Sequence, residues 1–269
     1  MSVPNNPQVS LTNAALVEAH EVSFSYSTVP VLNRASLSLR QGSIGALIGA
    51  NGSGKSTFLR VLAGLIQPNS GTVAFKGMPL SKLEPRKRAK HIAYVPQTTA
   101  TFFPFTALEV VLTGRNPYSG RFRFEGKEDE EIALAALETL DAAHLADRAI
   151  TELSGGEYQL VTVARALAQE PEVMLLDEPA SALDLKHRAQ LARCLLRLRN
   201  ERNITVLAVT HDLMLLDQTF DTLFAMKCGR VVAGGAPDAV LKDSLLADIY
   251  DTPVRTLRNE GRTFVWSEQ

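Results

Sequence analysis

Residues Gly49-Ala50-Asn51-Gly52-Ser53-Gly54-Lys55-Ser56-Thr57 decide how this chain is read. They follow the apolar run Ile44 to Ile48 and lead into Phe58-Leu59-Arg60-Val61-Leu62-Ala63, a helical-looking segment. Strand, glycine-rich loop and helix in that order are the context in which G-x-x-x-x-G-K-[ST] carries chemical meaning. A polyphosphate needs several backbone N–H groups converging on it, and Cβ atoms would obstruct that approach, so glycines are required. The helix starting near Ser56 adds the positive end of its dipole. Lys55 reaches the β- and γ-phosphates, and the Ser56 hydroxyl is suited to Mg²⁺. The stretch from Gly49 through Asn51, Gly52, Ser53, Gly54 and Lys55 to Ser56 and Thr57 is a nucleotide site.

Working outward, residues 1–14 lack periodicity and are expected to be a loose tail, with residues 15–269 as one domain. Short strands are predicted at Leu16–Ala19, Val22–Tyr26 and Val31–Leu39, and Tyr26, ahead of a turn, is placed to stack on an adenine ring. After the loop and its helix come strands at Thr72–Phe75 and Ile92–Gln97, the second ended by Pro96. Between them the basic run Arg86 to Lys90 reads as a solvated face. Strand signals then vanish over about 98–168. Ala107–Leu112 and Glu128–Leu140 read as helices around a loop, Gly114 to Gly126, so this block is expected to be an inserted helical lobe. Apolar strands return at Val173–Glu178 and Ile204–Val209, separated by a helix over His187–Asn200. Two short strands, a helix near Ala236–Leu246 and a last extended piece to Trp266 complete the chain. Strands alternating with helices, without internal repeats, predict an α/β fold with a mostly parallel sheet.

Composition narrows the classes. The 269 residues suffice for one large α/β domain, and the net charge of −1, from 28 basic and 29 acidic residues, gives no nucleic-acid footprint. No apolar run approaches the ~18 residues of a membrane span, and the start of the chain has no signal-peptide pattern, so a cytosolic location is expected. Cys194 and Cys228 have no C-x-x-C spacing and read as bystander thiols.

Asp177-Glu178 closes a hydrophobic strand, which puts two carboxylates at the sheet's C-terminal edge beside the phosphate loop. Buried acids of this kind are costly unless a cation or proton joins them. Asp177 suits Mg²⁺, and Glu178 suits orienting and deprotonating an attacking water. His211 follows another buried strand and reaches the same edge, as does Gln97. Leu153-Ser154-Gly155-Gly156-Glu157 opens a helix and forms a second anion cradle by the same physics as the first. One nucleotide does not need two cradles, so the second is expected to serve the nucleotide of a partner subunit.

These motifs, in this order, resemble the ATP-binding subunit of ABC transporters, from about Ala15 to Val265. Tyr26 is similar to the adenine-stacking aromatic, Gly49–Thr57 to Walker A, Gln97 to the Q-loop glutamine, and Leu153–Glu157 to the signature motif. Val173–Asp177 followed by Glu178 resembles Walker B and its glutamate, Ser181-Ala182-Leu183-Asp184 the D-loop, and His211 the switch histidine. The resemblance implies a P-loop NTPase fold: a RecA-like, mostly parallel core, an antiparallel β subdomain and an inserted α-helical subdomain. It implies ATP hydrolysis with Glu178, His211 and Gln97 catalytic and Mg²⁺ held by Ser56, Gln97 and Asp177. It also implies a head-to-tail homodimer in which Ser154, Gly155, Gly156 and Glu157 face the opposite subunit's ATP and Asp184 couples the two sites. Membrane permease subunits and, indirectly, a substrate-binding protein are the other implied partners, with the chain peripheral at the cytoplasmic face of the inner membrane.

The segment Leu108 to Tyr118 is similar to the stretch after the Q-loop in importers of iron–siderophores, haem and cobalamin; molybdate importers share the architecture, and stand-alone exporter cassettes are the other transport alternative. Soluble ABC ATPases of repair or translation carry long coiled-coil insertions or fused cassettes, and this chain has neither. It departs from the family at Tyr158-Gln159-Leu160, where Gln-Gln-Arg is usual.

Overall fold

The computed structural model of the protein describes residues 15–97, 103–118, 126–181, 183–211, 219–259 and 262–267. The expected N-terminal tail, parts of the helical block and Ala182 of the D-loop segment lie outside them. The chain opens with an antiparallel pair, β1 (Ala15–Tyr26) and β2 (Val29–Arg40). The two strands expected within 16–26 are one. A register irregularity between Ala19 and Val22 absorbs Glu21, whose φ of 47° bends the strand without ending it, and Glu21 N donates to Ser36 Oγ at 2.8 Å. Strand β3 (Ile44–Ile48) is buried throughout and delivers the chain to helix α1 (Lys55–Leu62). Strands β4 (Ser70–Phe75) and β5 (Met78–Pro79) complete a four-stranded antiparallel sheet in the order β2-β1-β4-β5. The basic run forms a short helix, α2 (Pro85–Ala89), with no buried residue, and β6 (Ile92–Val95) follows.

Helices α3 (Ala107–Leu112), α4 (Lys127–Thr139) and α5 (Gly155–Ala168) then pack together, and among the described residues 103–168 no sheet strand interrupts them. The chain returns through β7 (Val173–Asp177), α6 (Leu185–Arg202), β8 (Thr205–Val209), β9 (Thr222–Lys227) and β10 (Arg230–Gly235). Two helices, α7 (Pro237–Val240) and α8 (Asp243–Tyr250), replace the single helix expected there. The last extended piece is a hairpin of β11 (Val254–Asn259) and β12 (Arg262–Ser267), Leu257 pairing with Phe264.

The second sheet has the order β10-β9-β3-β8-β7-β6, with every neighbouring pair parallel except β10–β9. Strands β3, β7 and β8 are covered on both faces, which is why they read as unbroken apolar runs rather than alternating ones. The twofold side-chain period still divides them. Met174, Leu176, Val206 and Ala208 pack with the helical block and α6; Val173, Leu175, Leu207 and Val209 pack with Phe58 and Leu59 of α1 and with the antiparallel sheet. A third cluster joins Ala46, Ile48, Leu223 and Ala225 to α7 and α8. Among the described residues no helix is long and apolar enough to cross a membrane. Cys194 is buried, which pushes its thiol up to about 11, and Cys228 is exposed; both are free.

The segment Gly114–Tyr118 ties the helical block to the end of α5. A Cβ on Gly114 would collide with the Arg165 carbonyl. The buried Arg115 guanidinium donates to Asp129 Oδ1 at 2.9 Å, to the Ala168 carbonyl at 2.8 Å and to Glu170 Oε2 at 2.7 Å. It also lies 4.1 Å from the centroid of the Tyr118 ring. Expected as part of an open loop, Arg115 is instead a buried ion-pair centre.

Candidate active site

Parallel strands carry their C-terminal ends to one sheet edge, and here four of them deliver chemistry to it. The loop after β3 carries Gly49–Gly54; Gln97 follows β6, Glu178 follows β7 and His211 follows β8. Gln97, Glu178 and His211, with Tyr26 and Val31 from the antiparallel sheet, line a cleft of about 630 Å³ together with Asn51, Gly52, Gly54 and Lys55–Thr57. Tyr26 is 45 % exposed at its mouth, its ring edge-on to Phe24 with centroids 4.8 Å apart.

Two glycines shape the loop for different reasons. A Cβ on Gly49 would strike the Met226 carbonyl oxygen, so the loop lies flat against the neighbouring strand only without one. Gly52 has φ of 76° and open space where its Cβ would point, which leaves its backbone accessible from the cleft. From behind, Gly229 N donates to Ser53 O at 2.9 Å, bracing the loop on the β9–β10 turn. The loop N–H groups and the start of α1 thus form a rigid cradle for an anion. Lys55 is 5 % exposed, and its ammonium donates to the Gly49 and Ala50 carbonyls at 2.9 and 2.8 Å. Burial pushes its pKa below the ordinary lysine value, while the Glu178 and Asp177 carboxylates pull it back up.

Asp177 lies at the buried end of β7. Ser56 Oγ donates to its Oδ1 at 2.9 Å and Tyr94 Oη to its Oδ2 at 3.1 Å. The site has hard oxygen donors for Mg²⁺ in the Ser56 hydroxyl and the Asp177 carboxylate, and among the described residues no cluster of three His, Cys, Asp or Glu forms a complete metal cage. One carboxylate and a hydroxyl, completed by nucleotide oxygens and water, suit Mg²⁺, and a cation there would meet the desolvated Asp177. The Gln97 amide is turned so that Nε2 donates to Glu178 Oε2 at 2.6 Å, leaving its carbonyl oxygen as the atom able to face a metal.

Glu178 is held on both sides: Gln97 Nε2 on Oε2, and His211 Nε2 at 2.7 Å from Oε1. Its backbone has φ of 50°, a conformation uncommon for a residue with a side chain, and its N–H donates to Val209 O at 3.2 Å. That turn lifts the carboxylate off the strand end toward the cleft.

The signature segment does not line this cleft. Ser154 caps α5 in a reciprocal box: Glu157 N donates to Ser154 Oγ at 3.3 Å, and Ser154 N and Oγ each lie 2.8 Å from Glu157 Oε2. These bonds, from the backbone first and then the hydroxyl, hold the Glu157 carboxyl below the usual range, with Arg148 adding to the effect. Asp184 caps α6, its Oδ1 accepting from His187 N at 2.8 Å, and that bond holds its carboxyl low.

Residues 32–181 match the family described as ABC transporter, more than half of the chain. The chain belongs to the ABC transporter family. It is 42% identical over 227 residues to "Hemin import ATP-binding protein HmuV" of Nocardia farcinica (strain IFM 10152), covering 84% of this chain and 78% of that protein. A metal-chelate type ABC transporter solved in an inward-facing conformation is similar in structure, with a TM-score of 0.80 at 28% identity over 93% of this chain and 96% of that one. The dimeric ATP-binding cassette MJ0796, solved in a post-hydrolysis state bound to ADP and Pi, gives 0.74 at 29% identity over 82% and 98%.

One residue of this ABC cassette escaped the sequence reading. Tyr94 orients Asp177; a phenol in an apolar strand needs a polar partner, which was the available signal. Leu160, the departure in the signature helix, is 2% exposed and packs into the core cluster beneath the helical block.

The state of Asp177 makes a pH prediction. Burial pushes its carboxyl above the ordinary range, against hydrogen bonds from Ser56 and Tyr94 that pull it down. A carboxyl with a raised folded pKa binds its proton more tightly when folded. Its stabilisation is complete below the unfolded value and is lost as pH rises through the folded one. Asp177→Asn keeps the shape without the charge, so the nucleotide-free variant is expected to melt above wild type at neutral pH. The difference should shrink as the pH is lowered toward about 4, the ordinary carboxylate value. Scanning calorimetry across that range checks it; a wild type that melts higher at neutral pH contradicts it.

Proposed function

We propose that this ABC cassette hydrolyses ATP to drive an importer of haem or another iron chelate, working as a head-to-tail dimer against membrane permease subunits at the cytoplasmic face of the inner membrane. The observation that carries the reading is Glu178, held between Gln97 and His211 at the strand end beside the phosphate loop. ATP stacks its adenine on Tyr26 and lays its phosphates on the loop from Gly49 to Thr57, with Lys55 reaching the terminal ones. Mg²⁺ would be held by Ser56, Asp177 and the Gln97 carbonyl, supplying positive charge at the phosphates. Water attacks the γ-phosphorus, the bond to the bridging oxygen breaks, and Glu178 takes the water's proton. His211 orients Glu178 and the γ-phosphate.

Two observations support the dimer. Ser154, Gly155, Gly156 and Glu157 offer a helix N-terminus outside their own chain's cleft, and a cassette of similar structure is dimeric with ADP and Pi. Ser154→Arg is expected to cut hydrolysis at least about tenfold by placing a bulky cation in the partner's cradle. It should leave ATP binding to the monomer intact; losing the cap costs about 1 kcal/mol, not the fold. If the monomer fails to bind ATP, the cross-subunit placement is wrong.

The haem or iron-chelate assignment rests on the names of similar proteins. A strain lacking this gene, grown on single iron sources (ferric siderophores or haem) or with cobalamin as the only vitamin source, tests it. Rescue by wild type and not by Glu178→Gln on one nutrient names the substrate and ties it to hydrolysis. Normal growth on all of them points to molybdate import or to export.

A further inference from the structure

His187 does not line the cleft. It stands third in α6, three residues after the capping Asp184. Both of its donors converge on one oxygen: the backbone N–H at 2.8 Å and Nδ1 at 2.8 Å from Asp184 Oδ1. A carboxylate only accepts, so the Nδ1 atom carries the proton. Two donors from the same residue fix the Asp184 rotamer, although its side chain is 65% exposed and would otherwise swing freely.

The Nδ1 edge of the ring also lies beside Gly156. Gly156 sits in the first turn of α5 without a left-handed φ, so its backbone has no need of glycine, and glycine weakens a helix relative to alanine. A Cβ at Gly156 would lie 3.1 Å from His187 Nδ1, closer than most side-chain contacts, and at ordinary contact distance, 3.5 and 3.6 Å, from Cγ and Cε1. The imidazole stands beside the place where a side chain at 156 would begin. The ring is accordingly only 19% exposed, held between the carboxylate and the signature helix.

We propose that His187 is a positioning residue that locks the turn carrying Asp184 to the first turn of the signature helix, so that the two parts each chain presents to its partner move as one. This rests on the dimer reading of Ser154–Glu157 above. Asp184 cannot rotate without breaking both bonds to His187, and the ring stands beside the first turn of α5 at Gly156. The geometry of one half of the interface therefore sets that of the other, and removing the imidazole frees both.

The test uses the full chain in the Glu178→Gln background, where an ATP-bound dimer is expected to accumulate. His187→Ala should raise the ATP concentration for half-maximal dimer, measured by light scattering on a sizing column, by about tenfold, the weight of one charge-assisted hydrogen bond. His187→Asn, whose amide N–H lies near the position of Nδ1–H, should restore most of it. Nucleotide affinity of the monomer and the melting midpoint should not move. In an otherwise wild-type chain, His187→Ala should lower kcat. Unchanged dimerisation in His187→Ala overturns the proposal and leaves the dimer reading standing. Failure of Asn to rescue, a fall in monomer affinity or a lower melting midpoint also overturns it, because His187 would then act by bulk or by folding. If the parent Glu178→Gln forms no ATP-dependent dimer, the dimer reading falls and this proposal with it.

Discussion

Glu178→Gln is expected to lower phosphate release by about 10²–10⁴-fold, the range a positioned general base contributes, while ATP binding changes by no more than about twofold. The substitution is nearly isosteric, and the positions of Gln97 and His211 at 2.6 and 2.7 Å from the two carboxylate oxygens tell why binding survives. Both neighbours hold the side chain from outside the phosphate loop, so the cradle of Gly49–Gly54 and Lys55 is untouched. What is lost is the acceptor for the attacking water's proton, since an amide does not take one at neutral pH. With binding intact and hydrolysis stalled, the ATP-bound form persists and dimers should accumulate. Phosphate release at saturating ATP, beside sizing-column light scattering with and without ATP, reads both effects. Turnover near the wild-type rate would remove Glu178 from the base role and leave His211 to supply it.

The parts of this fold that the sequence discloses are those whose physics is local or two-sided. Strands β3, β7 and β8 are covered on both faces, so every position is apolar and the run stands out without knowledge of its neighbours. The phosphate loop is legible because glycine, lysine and serine at fixed spacing serve one short piece of chain. Asp177, Glu178, His211 and Gln97 reach the same edge because each ends or follows a parallel strand, which a strand count alone anticipates. What stayed hidden depends on partners far along the chain. Tyr94 acquires its role from Asp177, 83 residues away, and Arg115 from Glu170, 55 residues away. Read alone, one is a strand aromatic and the other a loop cation. The break expected in β1 failed for another reason. Polar Glu21 looks like a turn, but at positive φ it becomes a bulge that antiparallel neighbours on both sides hold in the sheet. Gly156 is read as part of a phosphate cradle, and its neighbour His187, 31 residues on, gives no sign in the sequence of lying beside it.

Lys55→Ala is expected to weaken ATP binding by about 10²–10³-fold, or about 3–4 kcal/mol, the loss typical when one partner of a desolvated charge pair is truncated. The structure says why the effect should be large. The ammonium is buried, and the Gly49 and Ala50 carbonyls accept its hydrogen bonds. Part of its desolvation is therefore in place before a ligand arrives, and a polyphosphate meets a charge that water shields less than it would at the surface. The depressed pKa of Lys55, caused chiefly by burial, marks the same cost on the protein side: its charged form is less favourable here than in the unfolded chain. Affinity and stability should consequently move apart. Lys55→Ala should lose nucleotide affinity by calorimetric titration while the nucleotide-free chain melts within a few degrees of wild type, since the cavity left by the aliphatic stem offsets the relief of the buried charge. Lys55→Met, which keeps the stem, should melt at or above wild type and bind ATP as poorly as the alanine variant. ATP affinity unchanged in both variants would mean that the phosphates rest on the backbone cradle alone. A melting midpoint that collapses in Lys55→Met would mean that the two carbonyl bonds, and not a waiting ligand, are what the buried ammonium is for.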